Sequence, residues 1–423
     1  MVSGTLRIGV TTPGSTRPSD FLWHRLYLRP LPHQHASFAF GKMAGAVAVT
    51  DMGLRIGVSR VRGDLGIEMM RSGSFVRPRS GAPSLSDVSQ EEVLAPNGMS
   101  PLLNLPSMDA DRERIEAAMH DAVVTPDTYL NEIASHLIVA GGKRLRPVLA
   151  VVGAQIFGTA ASYDVVRGGV ACELVHLGSL YHDDVMDEAD TRRGVETVNA
   201  KWGNLQAILA GDFLLSRASE IAASLGTEVA GLLARTIGWL CEGQIEELRH
   251  TYDLARTEES YLRSIHGKTA SLYGTAARIG GIAAGHDRPV IDALTEYGNA
   301  YGTVFQIVDD ILDITATDAQ LGKPAGHDMV EGVYTLPVLR TLSLGNTAAS
   351  ELAALLGSPL DVAAKDTALS IVRSNDGLAS AVDTARQYVE LAEAHCDDFP
   401  DSEATAALRS APRALLDSVS VTA

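Results

Sequence analysis

Asp183–Asp187 reads DDVMD and Asp309–Asp313 reads DDILD, two copies of one acidic spacing 126 residues apart. In an α-helix, positions i and i+4 lie one turn apart on one face. Asp183 and Asp187 can therefore hold one cation between them, and without it their like charges destabilise the helix. Hard oxygen donors with no His or Cys partner select Mg2+ rather than zinc. Mg2+ keeps several waters and bridges one or two carboxylates to substrate phosphates. One acidic cluster alone reads equally well as a solvated face. Two matching clusters on otherwise apolar, helix-periodic stretches do not. Facing each other across a cavity, they predict a diphosphate substrate.

The basic residues supply the complement. GGKRLRP, 141–147, places Lys143, Arg144 and Arg146 just after a glycine helix stop. Arg192 and Arg193 follow the first acidic motif, HGKTA contributes Lys268 and Thr269, and LGKP contributes Lys323. Arg grips phosphate oxygens through a planar fork, whereas Lys acts as a point charge. Any one of these pairs, taken alone, is an ordinary surface pair. His176 lies seven residues before Asp183, two turns away on the same face. Cys172, Trp202 and Trp239 read as packing.

These groups must be carried by helices. From Asp109 onward apolar residues recur at three- and four-residue spacing, as in TYLNEIASHLIVA and VIDALTEYGNAYGTVFQIVDDILDI. Alternating β-branched runs are scarce, and aromatic content is 5% against 46% hydrophobic. The expectation is one all-α domain over residues 107–423, a bundle of long helices. Residues 1–106 are different material, with 11 Lys+Arg against 7 Asp+Glu, where the remainder has 24 against 45. Residues 72–107 are rich in Ser, Pro and Gly. The first 106 residues are read as a disordered extension or, preferentially, as the product of a start assigned too far upstream, since Met99 and Met108 precede the first clear helix. The net charge of −17 argues against nucleic acid as partner. Cys172, Cys241 and Cys396 are too few and too scattered for a disulfide framework or a thiolate zinc site, which fits the cytoplasm. The most apolar stretch, 147–163, is too short and too polar to span a membrane.

In this setting the motifs GGKRLRP, HLGSLYHDDVMDEADTRRG, GDFLL, HGKTA, FQIVDDILD and LGKPAGHDMVEGVYTLP resemble, in order and spacing, those of the trans-isoprenyl diphosphate synthases, or polyprenyl synthetases. The resemblance covers about residues 110–400 of the sequence. It implies the isoprenoid synthase fold, helices around a central cavity, assembled as a homodimer. It implies head-to-tail condensation of isopentenyl diphosphate with an allylic diphosphate primer, with several Mg2+ ions per site. Carried over by position, Asp183, Asp187 and Asp309 are the main metal ligands and Asp184, Asp310 and Asp313 support them. Arg192, Lys268 and Lys323 hold the allylic diphosphate. Lys143, Arg146, His176 and Arg193 hold isopentenyl diphosphate. Thr269 and Gln306 turn their oxygens, with Lys268 nearby, toward the developing carbocation. One departure is Val333, where many members carry Lys.

Product length in this family is a steric matter. Large residues four and five positions before the first motif form a floor in short-chain enzymes. Gly178 and Ser179 stand there, so the floor is expected to be open and the product long, about C35–C50 on the family's pattern, for a quinone side chain. The alternatives are a farnesyl or geranylgeranyl diphosphate synthase and a non-catalytic subunit of a heteromeric synthase. Product release implies a transient membrane contact, with no transmembrane segment.

Overall fold

The computed structural model describes residues 100–316 and 325–420 together with the backbone of four strands nearer the N-terminus. The chain divides into two compact units, Met1–Val88 and Ser89–Ala423. In the first, β1 (Thr5–Val10) pairs antiparallel with β2 (Leu22–Tyr27), and β3 (Ile56–Val61) with β4 (Asp64–Met69). Apart from these strands, the reading of residues 1–99 as an extension lies outside the described residues.

The second unit is helical, as the periodicity predicts. In chain order it runs α1 (Met108–Val123), α2 (Thr128–Ala134), α3 (His136–Val139), α4 (Leu145–Ala154) and α5 (Tyr163–Met186). After a short hairpin of β5 (Thr191–Arg192) and β6 (Val195–Glu196) come α6 (Val198–Trp202), α7 (Asn204–Ser224), α8 (Thr227–Arg249) and α9 (Glu258–Ile265). A π-turn over His266–Ala270 leads into α10 (Ser271–Ala284) and then α11 (Arg288–Thr315). The C-terminal part holds α12 (His327–Val330), α13 (Leu336–Leu342), α14 (Thr347–Leu355), α15 (Val362–Arg373), α16 (Asp376–His395) and α17 (Glu403–Ser420).

Local signals set the ends of the long helices. Ser162 accepts from the Val165 N–H at the start of α5, and Asp287 accepts from the Val290 N–H at the start of α11. These caps satisfy amides that have no intrahelical partner. Within the bundle, α5 packs on α1, α4, α7 and α10, and α11 packs on α10, α16 and α17. The acidic motifs thus sit at the C-terminal ends of two long helices at the centre of the bundle.

Small residues allow the closest crossings. A Cβ on Gly298 of α11 would stand 2.7 Å from Gly274 Cα of α10. Large tyrosines fill the wider gaps, and several anchor their hydroxyls on backbone. Tyr181 donates to Ile133 O at 2.8 Å, and Tyr297 donates to Leu408 O at 2.7 Å. Each bond satisfies a phenol that burial would otherwise strand.

Ordered packing starts earlier than residue 107, which corrects the expected boundary. Leu102, in a 3-10 turn over Pro101–Leu103, is fully buried, and Leu105 is nearly so. The turn packs against α17 and α4. The sequence around it is rich in Pro, Ser and Asn, so it reads as linker although its leucines belong to the core.

Candidate active site

The basic loop before α4 has an unusual backbone. Gly141 and Gly142 take φ of +93° and +147°, and Arg144 takes +52°. Only glycine adopts the first two conformations readily. A Cβ on Gly142 would also sit 2.9 Å from a guanidinium nitrogen of Arg144 and of Arg193. This path turns Arg144 inward. It donates to Glu116 Oε1 at 2.8 Å, Gly141 O at 3.0 Å and Ile138 O at 2.8 Å, and buried Glu173 lies 3.6 Å away. Arg144 therefore braces the loop, while Lys143 and Arg146 line a cavity of about 190 Å³. His176, Arg193 and Asp309 line the same cavity. The four residues expected to hold isopentenyl diphosphate are thus brought together. The Arg146 guanidinium lies over the Tyr273 ring, 4.6 Å from its centroid. Burial, followed by the charges of Arg146 and Arg193, holds the His176 pKa well below its ordinary value, so the imidazole is neutral at pH 7.

The first acidic motif closes α5. The Asp187 N–H donates to Asp183 O at 2.8 Å, keeping the one-turn relation although Asp187 is already the cap residue. Asp183 is half-buried and Asp187 exposed. Burial raises the Asp183 pKa, Lys268 pulls it down, and the Asp187 charge raises it again. Asp184 faces the other way. It is fully buried and accepts from Arg192 Nε at 2.5 Å. Arg192 ends β5 and Arg193 opens the two-residue turn of the β5–β6 hairpin, where Arg193 and Gly194 have φ of +53° and +73°. Two consecutive positive φ values mark a type I′ turn. The turn delivers the Arg193 guanidinium to Gly141 O, tying the hairpin to the basic loop.

The second motif has a similar division. Asp309 is exposed, whereas Asp310 and Asp313 are each 3% exposed. Asp310 accepts from Tyr261 Oη at 2.6 Å and from Gln306 Nε2 at 2.9 Å. Burial pushes its pKa up to about 7. Asp313 accepts from the Asp328 N–H at 3.4 Å. Asp184, Asp310 and Asp313, expected to support the metal ligands, are thus turned into the protein, while Asp183, Asp187 and Asp309 are the more open members of the two motifs. Among the described residues, no three His, Cys, Asp or Glu groups converge as a preformed metal cage. Paired carboxylates without a cage suit an ion completed by substrate phosphate and water, which is how Mg2+ binds.

HGKTA forms the π-turn, in which the Ser271 N–H reaches back to His266 O. Such wide turns inside α-helices recur at functional sites. Helix α8 crosses it closely, since a Cβ on Gly243 would stand 2.5 Å from Lys268 N. Lys268 Nζ lies 2.8 Å from Glu247 Oε1 of α8. Burial works against the ammonium, but Glu247 and Asp183 outweigh it and raise its pKa. Thr269 Oγ1 donates to Gln306 Oε1 at 2.7 Å. Lys323 lies outside the described residues.

Gly178 does not open a cavity. Its missing side chain faces α7, where a Cβ would meet Gly211 O at 3.0 Å and Leu215 Cγ at 3.3 Å. The expectation that Gly178 forms an open floor is corrected, because it is a helix-crossing glycine. Ser179 is half-buried and donates to His176 O at 2.8 Å.

The polyprenyl synthetase family model matches residues 127–372. The chain belongs to the polyprenyl synthetase family. The nonaprenyl diphosphate synthase of Mycobacterium tuberculosis is 41% identical over 70% of this chain and 89% of its own length. The heptaprenyl diphosphate synthase component 2 of Geobacillus stearothermophilus is 40% identical over 71% of this chain and 93% of its own. A solved structure of polyprenyl synthase from Caulobacter crescentus, complexed with calcium and isoprenyl diphosphate, has a TM-score of 0.70 and 32% identity, covering 76% of this chain and 98% of that one. Like these relatives, this polyprenyl synthetase is a trans-prenyltransferase.

Sequence reading missed two acids of this synthetase. Glu247 pairs with Lys268, and Glu173 lines the basic cavity while 2% exposed. Glu247 sits in GQIEELR, which reads as a solvated helix end. Glu173 carried a signal, being a lone acid in the apolar run VACELVHL.

Proposed function

We propose that this synthetase joins isopentenyl diphosphate head-to-tail to an allylic diphosphate and repeats the step to a product of about C35–C50, in line with the long-chain names of its relatives. The observation that carries this reading is the convergence of Lys143, Arg146, His176 and Arg193 on one cavity that also reaches Asp309. Lys143, Arg146 and Arg193 offer cationic donors to a diphosphate, and neutral His176 adds an uncharged N–H. Asp183 and Asp187 with Lys268 form the neighbouring polar centre for the allylic diphosphate. Arg192 and Lys323 complete that assignment.

Asp183, Asp187 and Asp309 would hold Mg2+, which would neutralise charge building on the leaving diphosphate. Lys268 adds a fixed positive charge there. Thr269 and Gln306 present oxygens to the allylic carbon. The apolar walls exclude water from the cation. Ser179 remains the residue assigned to product length.

A homodimer is supported by an exposed apolar face. Leu205, Ile208 and Leu209 of α7 and Trp239, Ile245 and Leu248 of α8 are all exposed in one chain. The name of the Geobacillus relative favours a second reading, in which a different subunit covers this face. Three cysteines outside any disulfide support a cytoplasmic location, and no helix among the described residues is long and apolar enough to cross a membrane. A quinone side chain is the proposed use of the product.

The test is incubation of purified protein with Mg2+, isopentenyl diphosphate and farnesyl diphosphate, followed by chromatography of the products. Products of C35–C50 support the reading. Absence of elongation, or elongation unaffected by EDTA, refutes it.

A further inference from the structure

Four polar side chains form one line across three elements. Tyr261 of α9 is 1% exposed and donates to Asp310 Oδ2 at 2.6 Å. Asp310 Oδ1 accepts from Gln306 Nε2 at 2.9 Å. Gln306 Oε1 accepts from Thr269 Oγ1 at 2.7 Å. Arg256, itself 5% exposed, stands 5.7 Å from the Tyr261 ring centroid and is anchored on Tyr334 O and Ser264 Oγ. The tyrosine is thus fixed from behind.

The direction of this line is decided at Asp310. A glutamine amide has a donor end and an acceptor end, and the two can exchange by a half-turn. Gln306 gives its NH2 to Asp310 Oδ1, whose partner oxygen already accepts from Tyr261, and this leaves the Gln306 oxygen toward Thr269. With Asp310 removed or turned, either end of the amide could face the site. An NH2 there would repel a developing cation, whereas an oxygen stabilises it. Tyr261 keeps Asp310 in place and supplies the donor that a buried carboxylate requires.

We propose that Tyr261 and Asp310 are positioning residues that lock the Gln306 amide with its oxygen toward Thr269 and the reacting carbon, and that Asp310 is not a metal ligand. The inference deepens the prenyl-transfer reading and rests on it. It gives the second aspartate of DDILD a task its spacing does not suggest.

The test uses the full chain and the variants Tyr261→Phe and Asp310→Asn. Each variant should lower kcat about tenfold, roughly one step of 1.4 kcal/mol in barrier, with KM for isopentenyl diphosphate within about twofold of wild type. Mn2+ binding, counted by electron paramagnetic resonance with inorganic diphosphate present, should be unchanged in both. Thr269→Val added to Tyr261→Phe should cost much less than Thr269→Val alone, because the two act through one amide. Asp310→Asn is nearly isosteric and carries the test if Tyr261→Phe does not fold. Fewer bound Mn2+ in Asp310→Asn, strictly additive losses, or an unchanged kcat would each overturn the inference while leaving the prenyl-transfer reading intact. An inactive wild type would overturn both.

Discussion

Gly178→Ala and Ser179→Phe separate two explanations of product length at adjacent positions. At Gly178 the added Cβ would stand 3.0 Å from Gly211 O and 3.3 Å from Leu215 Cγ. The carbonyl belongs to the α7 backbone and cannot swing aside as a side chain could. Gly211 is as constrained, since a Cβ there would meet His182 Nε2 closer than any normal contact. The two helices must therefore separate by a few tenths of an ångström. Overpacking of this kind costs about 1–3 kcal/mol. For a unit of this size, with about 2 cal/mol/K per residue of unfolding entropy, that corresponds to a fall in Tm of about 1.5–4.5 °C. Product length should not change, because the methyl meets α7 and not a cavity. Ser179→Phe should do the reverse, shortening the product with a Tm within about 2 °C of wild type. The assays are thermal unfolding and chromatography of products made from farnesyl diphosphate. A Gly178→Ala variant of unchanged Tm that made shorter products would refute the crossing argument.

Other outcomes follow from the same geometry. Arg144→Ala should lose about 3–5 kcal/mol in urea unfolding, because it strands buried Glu173 and removes the brace of the basic loop. Arg146→Ala should instead raise KM for isopentenyl diphosphate by about tenfold or more, read by steady-state kinetics. A chain beginning at Met99 should fold as stably as the full chain, whereas one beginning at Met108 should lose about 3–6 kcal/mol through the absence of Leu102 and Leu105, measured by chemical unfolding. His176 has a depressed folded pKa, so below about pH 6.5 the unfolded chain binds the extra proton first and stability falls as pH drops. The stability difference between wild type and His176→Gln should therefore narrow by up to about 1.4 kcal/mol per pH unit below that point, and a pH-independent difference would count against it.

The sequence made the helices and the outward carboxylates legible. Asp183 and Asp187 follow from a spacing of four, and their helix is periodic enough to be found. The inward turn of Asp184 and Asp310 was not legible. Both lie in helices with apolar residues on almost every side, so no polar face indicates where the cavity is. The same lack of contrast misplaced Gly178, which the rule of positions assigned to a cavity and packing assigns to α7. Glu247 resembled any acid near a helix end, because only the fold brings Lys268 beside it. The π-turn was hidden because HGKTA fits helical periodicity, and its extra residue per turn leaves no mark in composition. The β5–β6 hairpin did carry a signal in Arg193-Gly194, but two-residue strands are below what alternation can reveal.

Arg192 holds the buried carboxylate of the first acidic motif, and Arg193, its neighbour, holds the carbonyl of the basic loop. Consecutive Cα atoms are fixed about 3.8 Å apart. The end of α5 and the basic loop are therefore tied through two adjacent residues of one tight turn. A single residue inserted into that turn would leave every charge present and every helix intact, yet would break the tie between the end of α5 and the basic loop.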